Sequence, residues 1–229
     1  MVKPTIASVK EPLRKELTTC QNCGKSRLEE GVTLSKCSGC KIALYCSKDC
    51  QRAGWPVHKT TCKLNQRSQT MAAALAAQSP AAAAQGDVFK ALRAFCSKHR
   101  PSIAEYGIRA LDLPLDPTRS LREVVLIKVK SVPNAKRAEM SFMALSAELV
   151  PAEALGRAQG EELRSQLKNF EQQQKRMGQL GGIMVLVFDI DTNMSNACPV
   201  GFGKDVLTLK PGQPWKEPLL RTLNSGTVY

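Results

Sequence analysis

The sequence has only two histidines, few aromatic residues (5%), and 20 Asp and Glu against 33 Lys and Arg. With His99 the one histidine outside a cysteine-rich stretch, a hydrolytic triad finds no support, because such a triad needs an imidazole base aligned with a nucleophile. No window approaches ~20 uninterrupted apolar residues, the length that spans a bilayer, so no transmembrane helix and no membrane partner is expected. No run of five or more Lys and Arg occurs, which is the form a nucleic-acid or nuclear-import tract takes. The opening MVKPTIASVKEPLRKE lacks the apolar run of a secretory signal. The expectation is a chain of the cytoplasm or nucleus, with thiols kept reduced.

What is present in quantity is cysteine in one place. The stretch 20–62 holds seven of the nine cysteines and His58, spaced C-x2-C-x13-C-x2-C-x5-C-x3-C-x7-H-x3-C. Eight soft donors make two closed tetrahedral sites of the kind Zn²⁺ takes when structural, with no donor left for an open position. The expected metal ligands are Cys20, Cys23, Cys37, Cys40, Cys46, Cys50, His58 and Cys62, holding two Zn²⁺ per chain. Cys20/Cys23 and Cys37/Cys40 read as tight knuckle turns, which Gly24 and Gly39 suit. Cys46/Cys50 and His58/Cys62 are i, i+4 pairs that fall on one face of a helix. Ser47 is the expected N-cap of a first short helix that stops at Gly54, and Pro56 stands in the first turn of a second, continuing through Lys63 and Arg67. Spacing leaves two pairings of the ligands open, sequential or interleaved.

These residues resemble the MYND zinc finger: YCSKDCQRAGWPVHKTTC follows a C-x2-C…C-x2-C half, and Tyr45, Gln51, Trp55 and Lys59 accompany the ligands in the family's order. The resemblance covers 43 of 229 residues. It implies interleaved ligation, with Cys20, Cys23, Cys46 and Cys50 on one ion and Cys37, Cys40, His58 and Cys62 on the other. It also implies a surface beside Gln51 and Trp55 that docks proline-rich peptides of a protein partner. Such ligands are already extended, so they lose little entropy on docking, and an aromatic face suits their rings. The competing role for Trp55 is to pack the two short helices together.

The formal charge of +13 counts neutral thiols. Two Zn²⁺ held by seven thiolates contribute −3, leaving about +10. The excess is spread along the chain, which solubility alone explains. A nucleic-acid-binding finger is the alternative reading; it needs a basic face with stacking residues and predicts steep salt dependence.

Around the finger, residues 1–19 read as a flexible lead. Residues 68–86 hold nine alanines and no charge, a linker that is helical in part and interrupted by Pro80 and Gly86. From residue 87 to 210 the patterns predict a small α+β domain. Asp87 N-caps a helix ending near Arg100, and a second helix follows over 102–113. Strands over 123–132 and 138–149 form a hairpin turning at Pro133 and Asn134, and a helix runs from Pro151 to about Gln179. Ile183–Phe188 is a central strand and 198–210 an irregular edge strand, with helices expected over one sheet face. Residues 211–229, with three prolines, read as loop or tail. The fold expected for the whole is α+β: a small double-zinc finger followed by a small α+β domain.

Three catalytic readings are weaker. Asp189 and Asp191 in VFDIDTN resemble the first motif of haloacid-dehalogenase-like phosphatases, yet Thr192 falls one place early, and acids solvating a strand end explain them. Cys96 and His99 lie three apart on one helix and read as a core residue and a helix C-terminal cation. Some lysine methyltransferases carry a MYND finger within a SET domain, so a degenerate relative of that class is a further alternative. No NHSC-type motif follows Cys62, and 19 residues precede Cys20. The chain is therefore expected not to be an enzyme.

Overall fold

The first two strands form a small ribbon: β1 (Ser35–Lys36) pairs antiparallel with β2 (Leu44–Tyr45). The computed structural model describes residues 19–27 and 29–228, so the lead expected over 1–19 lies, apart from Thr19, outside the described residues. The chain divides between Asp87 and Val88 into two compact units.

In the first unit, α1 (Lys48–Gln78) is one continuous helix that runs through Gly54 and Pro56. The two short helices expected there are a single one. Proline removes one intrahelical hydrogen bond, the one otherwise made to the carbonyl four residues back. That residue, Arg52, and Pro56 itself are both exposed, so water can take up the freed carbonyl. Ser47 caps the helix as expected, its side chain accepting from the Cys50 N–H at 3.0 Å. The break comes at Ser79, which is extended (φ −159°, ψ 154°), because the residue before a proline is driven out of the helical region. Pro80 is then the first residue of α2 (Pro80–Ala110), a position where its missing N–H costs nothing. Gly86 and Asp87 lie inside α2, where neither ends nor starts a helix, since one glycine at ~1 kcal/mol does not outweigh an alanine run. Pro101 is likewise internal, with the exposed Ser97 four residues before it. The helix expected to end at Arg100 and the one expected after it are therefore continuous.

The second unit is built on a four-stranded sheet in the order β4-β3-β5-β6. Its strands are β3 (Glu123–Ser131), β4 (Phe142–Pro151), β5 (Gly181–Asp189) and β6 (Met194–Phe202). The β3–β4 hairpin is antiparallel with a bulge at Lys128/Val129, and Asn134 in its connection is left-handed (φ 57°). β3 and β5 run parallel, and β6 returns antiparallel as a regular edge strand that begins at Met194, earlier than expected. Both faces are covered, not one. On one face Ile183 and Val185 lie so close to the backbone of α2 that a Cβ at Gly107 would come within 2.8 Å of Ile183 Cδ1. On the other, Val124 and Met184 cluster with Leu163 and Leu167 of α3 (Arg157–Arg176). Pro151 ends β4 and leads into a single 3-10 turn (Ala152–Leu155), so the long helix expected from Pro151 starts only after Gly156 (φ 87°), as α3. The sequence 211–229 holds a helix where loop was expected: α4 (Lys216–Asn224) packs on β4. Its Leu219 and Leu223 are fully buried, worth about 1.5–3 kcal/mol each, which outweighs the surrounding prolines.

Each sheet edge carries a side-chain contact to its backbone. Asn224 exchanges two hydrogen bonds with the backbone of Ala144 on β4, accepting from its N–H at 2.7 Å and donating to its carbonyl at 2.9 Å. On β6, Pro199 has no N–H to offer, and its carbonyl accepts from Arg100 Nη2 at 2.7 Å. At these two residues the edge backbone is satisfied by side chains or lacks a donor, which makes them poorer templates for a further strand.

Candidate metal centre

The first knuckle turn closes with the Gly24 N–H donating to the Cys20 carbonyl at 2.9 Å, Gly24 being left-handed (φ 75°). The second repeats the bond from the Lys41 N–H to the Cys37 carbonyl at 2.9 Å, with Lys41 (φ 57°) in the left-handed place. Gly39 serves differently from Gly24: a Cβ there would stand 3.1 Å from Cys62 Sγ. His58 and Cys62 lie one turn apart on α1, as their spacing predicts. Cys46 precedes the N-cap Ser47 and so stands just outside the helix that carries Cys50.

The eight donors gather into two groups of four. Cys20, Cys23, Cys46 and Cys50 form one, and Cys37, Cys40, His58 and Cys62 the other, with the donor atoms of each all within 4.8 Å of one another. In the first, Cys46 Sγ is 3.6 Å from Cys23 Sγ and 3.5 Å from Cys50 Sγ. In the second, Cys37 Sγ is 3.9 Å from Cys62 Sγ, and Cys40 Sγ is 3.5 Å from His58 Nε2. A tetrahedron around Zn²⁺ with Zn–S of ~2.3 Å has edges of ~3.8 Å. The donor sets therefore fit two zinc ions in the interleaved pairing, and each site is closed by four protein ligands, as structural zinc requires. Burial holds the His58 imidazole below its ordinary pKa, which favours the neutral ring a metal needs.

The surroundings support the ligands. Gln66 Nε2 donates to Cys62 Sγ at 3.2 Å, and Gln69 Nε2 to the Cys40 carbonyl at 2.9 Å. These residues were missed in the sequence, although Gln66 lies four residues beyond Cys62 and so on the same helix face. Tyr45 is buried and meets the His58 ring edge-on at 5.9 Å. Burial, followed by the neighbouring Cys37 and Cys40, pushes its phenol up to about 12.

Trp55 makes a similar edge contact with His58 at 6.1 Å, yet remains 38% exposed. With one continuous helix, it has no pair of short helices to hold together. It borders a groove of about 570 Å³ that Cys37, Ser38, Lys48, Gln51 and Arg52 also line. The Gln51 amide donates to Cys37 Sγ at 3.6 Å and to Ser38 Oγ at 3.4 Å. Lys59, the other residue that accompanies the ligands, is exposed.

The residues weighed for catalysis are placed otherwise. Asp189 does not solvate a strand end: it is fully buried, and its Oδ2 accepts from Thr192 Oγ1 at 2.6 Å. Asp191 is exposed. His99 is not at a helix end, since α2 continues to Ala110. It is fully buried, and its Nε2 bonds the Glu139 carbonyl at 2.9 Å. Cys96 is buried in the core as expected, and hydrogen bonding with Cys198, then burial, push its thiol up.

Comparison with known families matches residues 20–62 to the MYND finger. That segment is a MYND-type zinc finger, a protein-interaction module. Among similar proteins, a SET and MYND domain-containing protein of Dictyostelium discoideum is 43% identical over 65 residues, 28% of this chain and 11% of the relative. SET domain and MYND-type zinc finger protein 6 of Schizosaccharomyces pombe is 49% identical over 51 residues, 22% of this chain and 10% of its own. The N-lysine methyltransferase SMYD2-B of Xenopus laevis is 59% identical over 29 residues, 13% and 7% respectively. The chain thus spans about a tenth of the length of these relatives, and the similarity is confined to the N-terminal segment. No solved structure matches. No described helix is long and apolar enough to cross a membrane.

Proposed function

We propose that the finger docks a proline-rich segment of a partner protein in the groove beside Gln51 and Trp55. The observation that carries this reading is Trp55 itself, a large aromatic residue left 38% exposed at the border of a groove although it holds no metal. An exposed aromatic face suits the rings of an extended proline-rich chain. The chain acts by binding and not as an enzyme; the activity stated in the relatives' names is not carried over, because the shared residues are those of the finger. It works in the cytoplasm or nucleus, where reduced thiols remain available to zinc.

Trp55→Ala tests the reading. Loss of an aromatic anchor removes about 2–4 kcal/mol of binding, at least a tenfold weakening. Affinity for a P-x-L-x-P peptide should fall by that much while both zinc ions stay bound, as counted by elemental analysis. Unchanged affinity in a zinc-loaded variant removes Trp55 from the site. The nucleic-acid alternative is separated by binding to random DNA across salt concentrations, where it requires a steep loss.

A further inference from the structure

We infer that the peptide taken by this groove carries an acidic residue two to three positions from the proline held at Trp55, facing Lys48 and Arg52; the inference rests on the docking reading above. Lys48, Gln51, Arg52 and Trp55 all line the groove. Their spacing of 3, 4 and 7 places them in one stripe along the first two turns of α1. The stripe is graded, with an aromatic ring at its C-terminal end and two cations at its start. These are the cationic side chains among the groove's lining, and both are exposed.

The distances translate into a position on the ligand. From Trp55 the helix rises ~4.5 Å to Arg52 and ~10 Å to Lys48 at ~1.5 Å per residue. A polyproline segment advances ~3.1 Å per residue, so the span between the two cations falls about two to three residues from the proline on Trp55. Nearer charges sharpen the preference. Cys37 also lines the groove, and its site combines three thiolates with Zn²⁺ for a net −1, which disfavours an acid directly beside it. Arg52 is paired with Asp49, but the two side chains are 79% and 84% exposed. An ion pair so exposed is weak, and it yields readily to a ligand carboxylate that also meets Lys48.

The test uses the full zinc-loaded chain and fluorescently labelled peptides with one P-x-L-x-P core. Glutamate or glutamine is placed two or three residues from the core, or six residues away. Two exposed ion pairs predict a roughly three- to tenfold gain for glutamate at the near positions in low salt. That gain should shrink in high salt, as screening requires. It should disappear in the double variant Lys48→Glu, Arg52→Glu, whose zinc content is checked alongside. Equal affinity of the near glutamate and glutamine peptides in the unaltered chain overturns the inference and leaves the docking reading standing. So does a gain of the same size at the distant position, which would reflect only the overall positive charge. A near-position preference that survives in the double variant also overturns it, since the acid would then be read elsewhere. If no peptide binds the unaltered chain, the docking reading itself fails.

Discussion

Gly160 sits in the first turn of α3, where a Cβ would collide with the backbone carbonyl oxygen of Ala152. A main-chain oxygen cannot rotate away as a side chain can. Alanine would add ~1 kcal/mol of helix propensity, but overpacking against fixed backbone costs about 1–3 kcal/mol, so the clash prevails. Gly160→Ala should lower the thermal stability of the second unit by roughly 0–2 kcal/mol net and leave the zinc content at two. Melting followed through Trp215, in a chain whose other tryptophan is replaced by phenylalanine, reads this directly. In sequence, Gly156 and Gly160 look only like residues that blur a helix end. Their actual tasks are a left-handed turn at Gly156 (φ 87°) and a close crossing at Gly160. Neither is visible without the turn that begins at Ala152, just beyond β4. Asp189 misleads for the same reason: an acid at a strand terminus looks solvated until the packing around it is known.

At the scale of elements, periodicity located the strands well and the helix ends poorly. β3 alternates valine and isoleucine with lysine, and such alternation has one interpretation. Pro56 looked like the opening of a new helix after a stop at Gly54, and Pro101 like the end of one, because the rule for proline assumes that the freed carbonyl has no other partner. On solvent-facing turns water provides one, and the helices continue. Ser79, which carries no signal of its own, became the break because of its neighbour Pro80. The helix α4 was hidden by proline content, though its Leu219 and Leu223 have the spacing of a single buried face. Its last residue suggests a further test. Asn224→Ala removes both bonds to Ala144 and should cost about 1–2 kcal/mol in the folded chain. It also opens the β4 edge beside the exposed Met143 and Leu145. Concentration-dependent association, followed by sedimentation, is the expected result, and a strictly monomeric variant at high concentration would count against a protective role for Asn224.

Over the whole molecule, metal dependence should differ between the two units. Forty-three residues cannot bury enough apolar surface to fold alone, whereas structural zinc supplies roughly 10–16 kcal/mol per site. Chelation should therefore unfold the finger and spare the sheet. A thiol reagent offers a count: with zinc bound it should find almost none of the nine cysteines, after chelation the seven of the finger, and the remaining Cys96 and Cys198 only in denaturant. Early reaction of those two would mean that the second unit depends on the metal. The ligand set was legible because seven cysteines and a histidine at the short intervals of tight turns and helix turns match the donor sets of structural zinc. The groove was legible only at Gln51 and Trp55. Ser38, Lys48 and Arg52 carry no signal until the helix and the knuckle turn are brought together.

Interleaving also means that the finger has no half. A cut between Cys40 and Cys46 would leave Cys20, Cys23, Cys37 and Cys40 on one piece and Cys46, Cys50, His58 and Cys62 on the other. Each piece would keep half the ligands of both ions and complete neither native site. The two ions are then the fasteners between two strips of chain, and joining the pieces and loading the metal become one event. Split at that point, the finger is a pair of complementary tags whose reunion is gated by zinc.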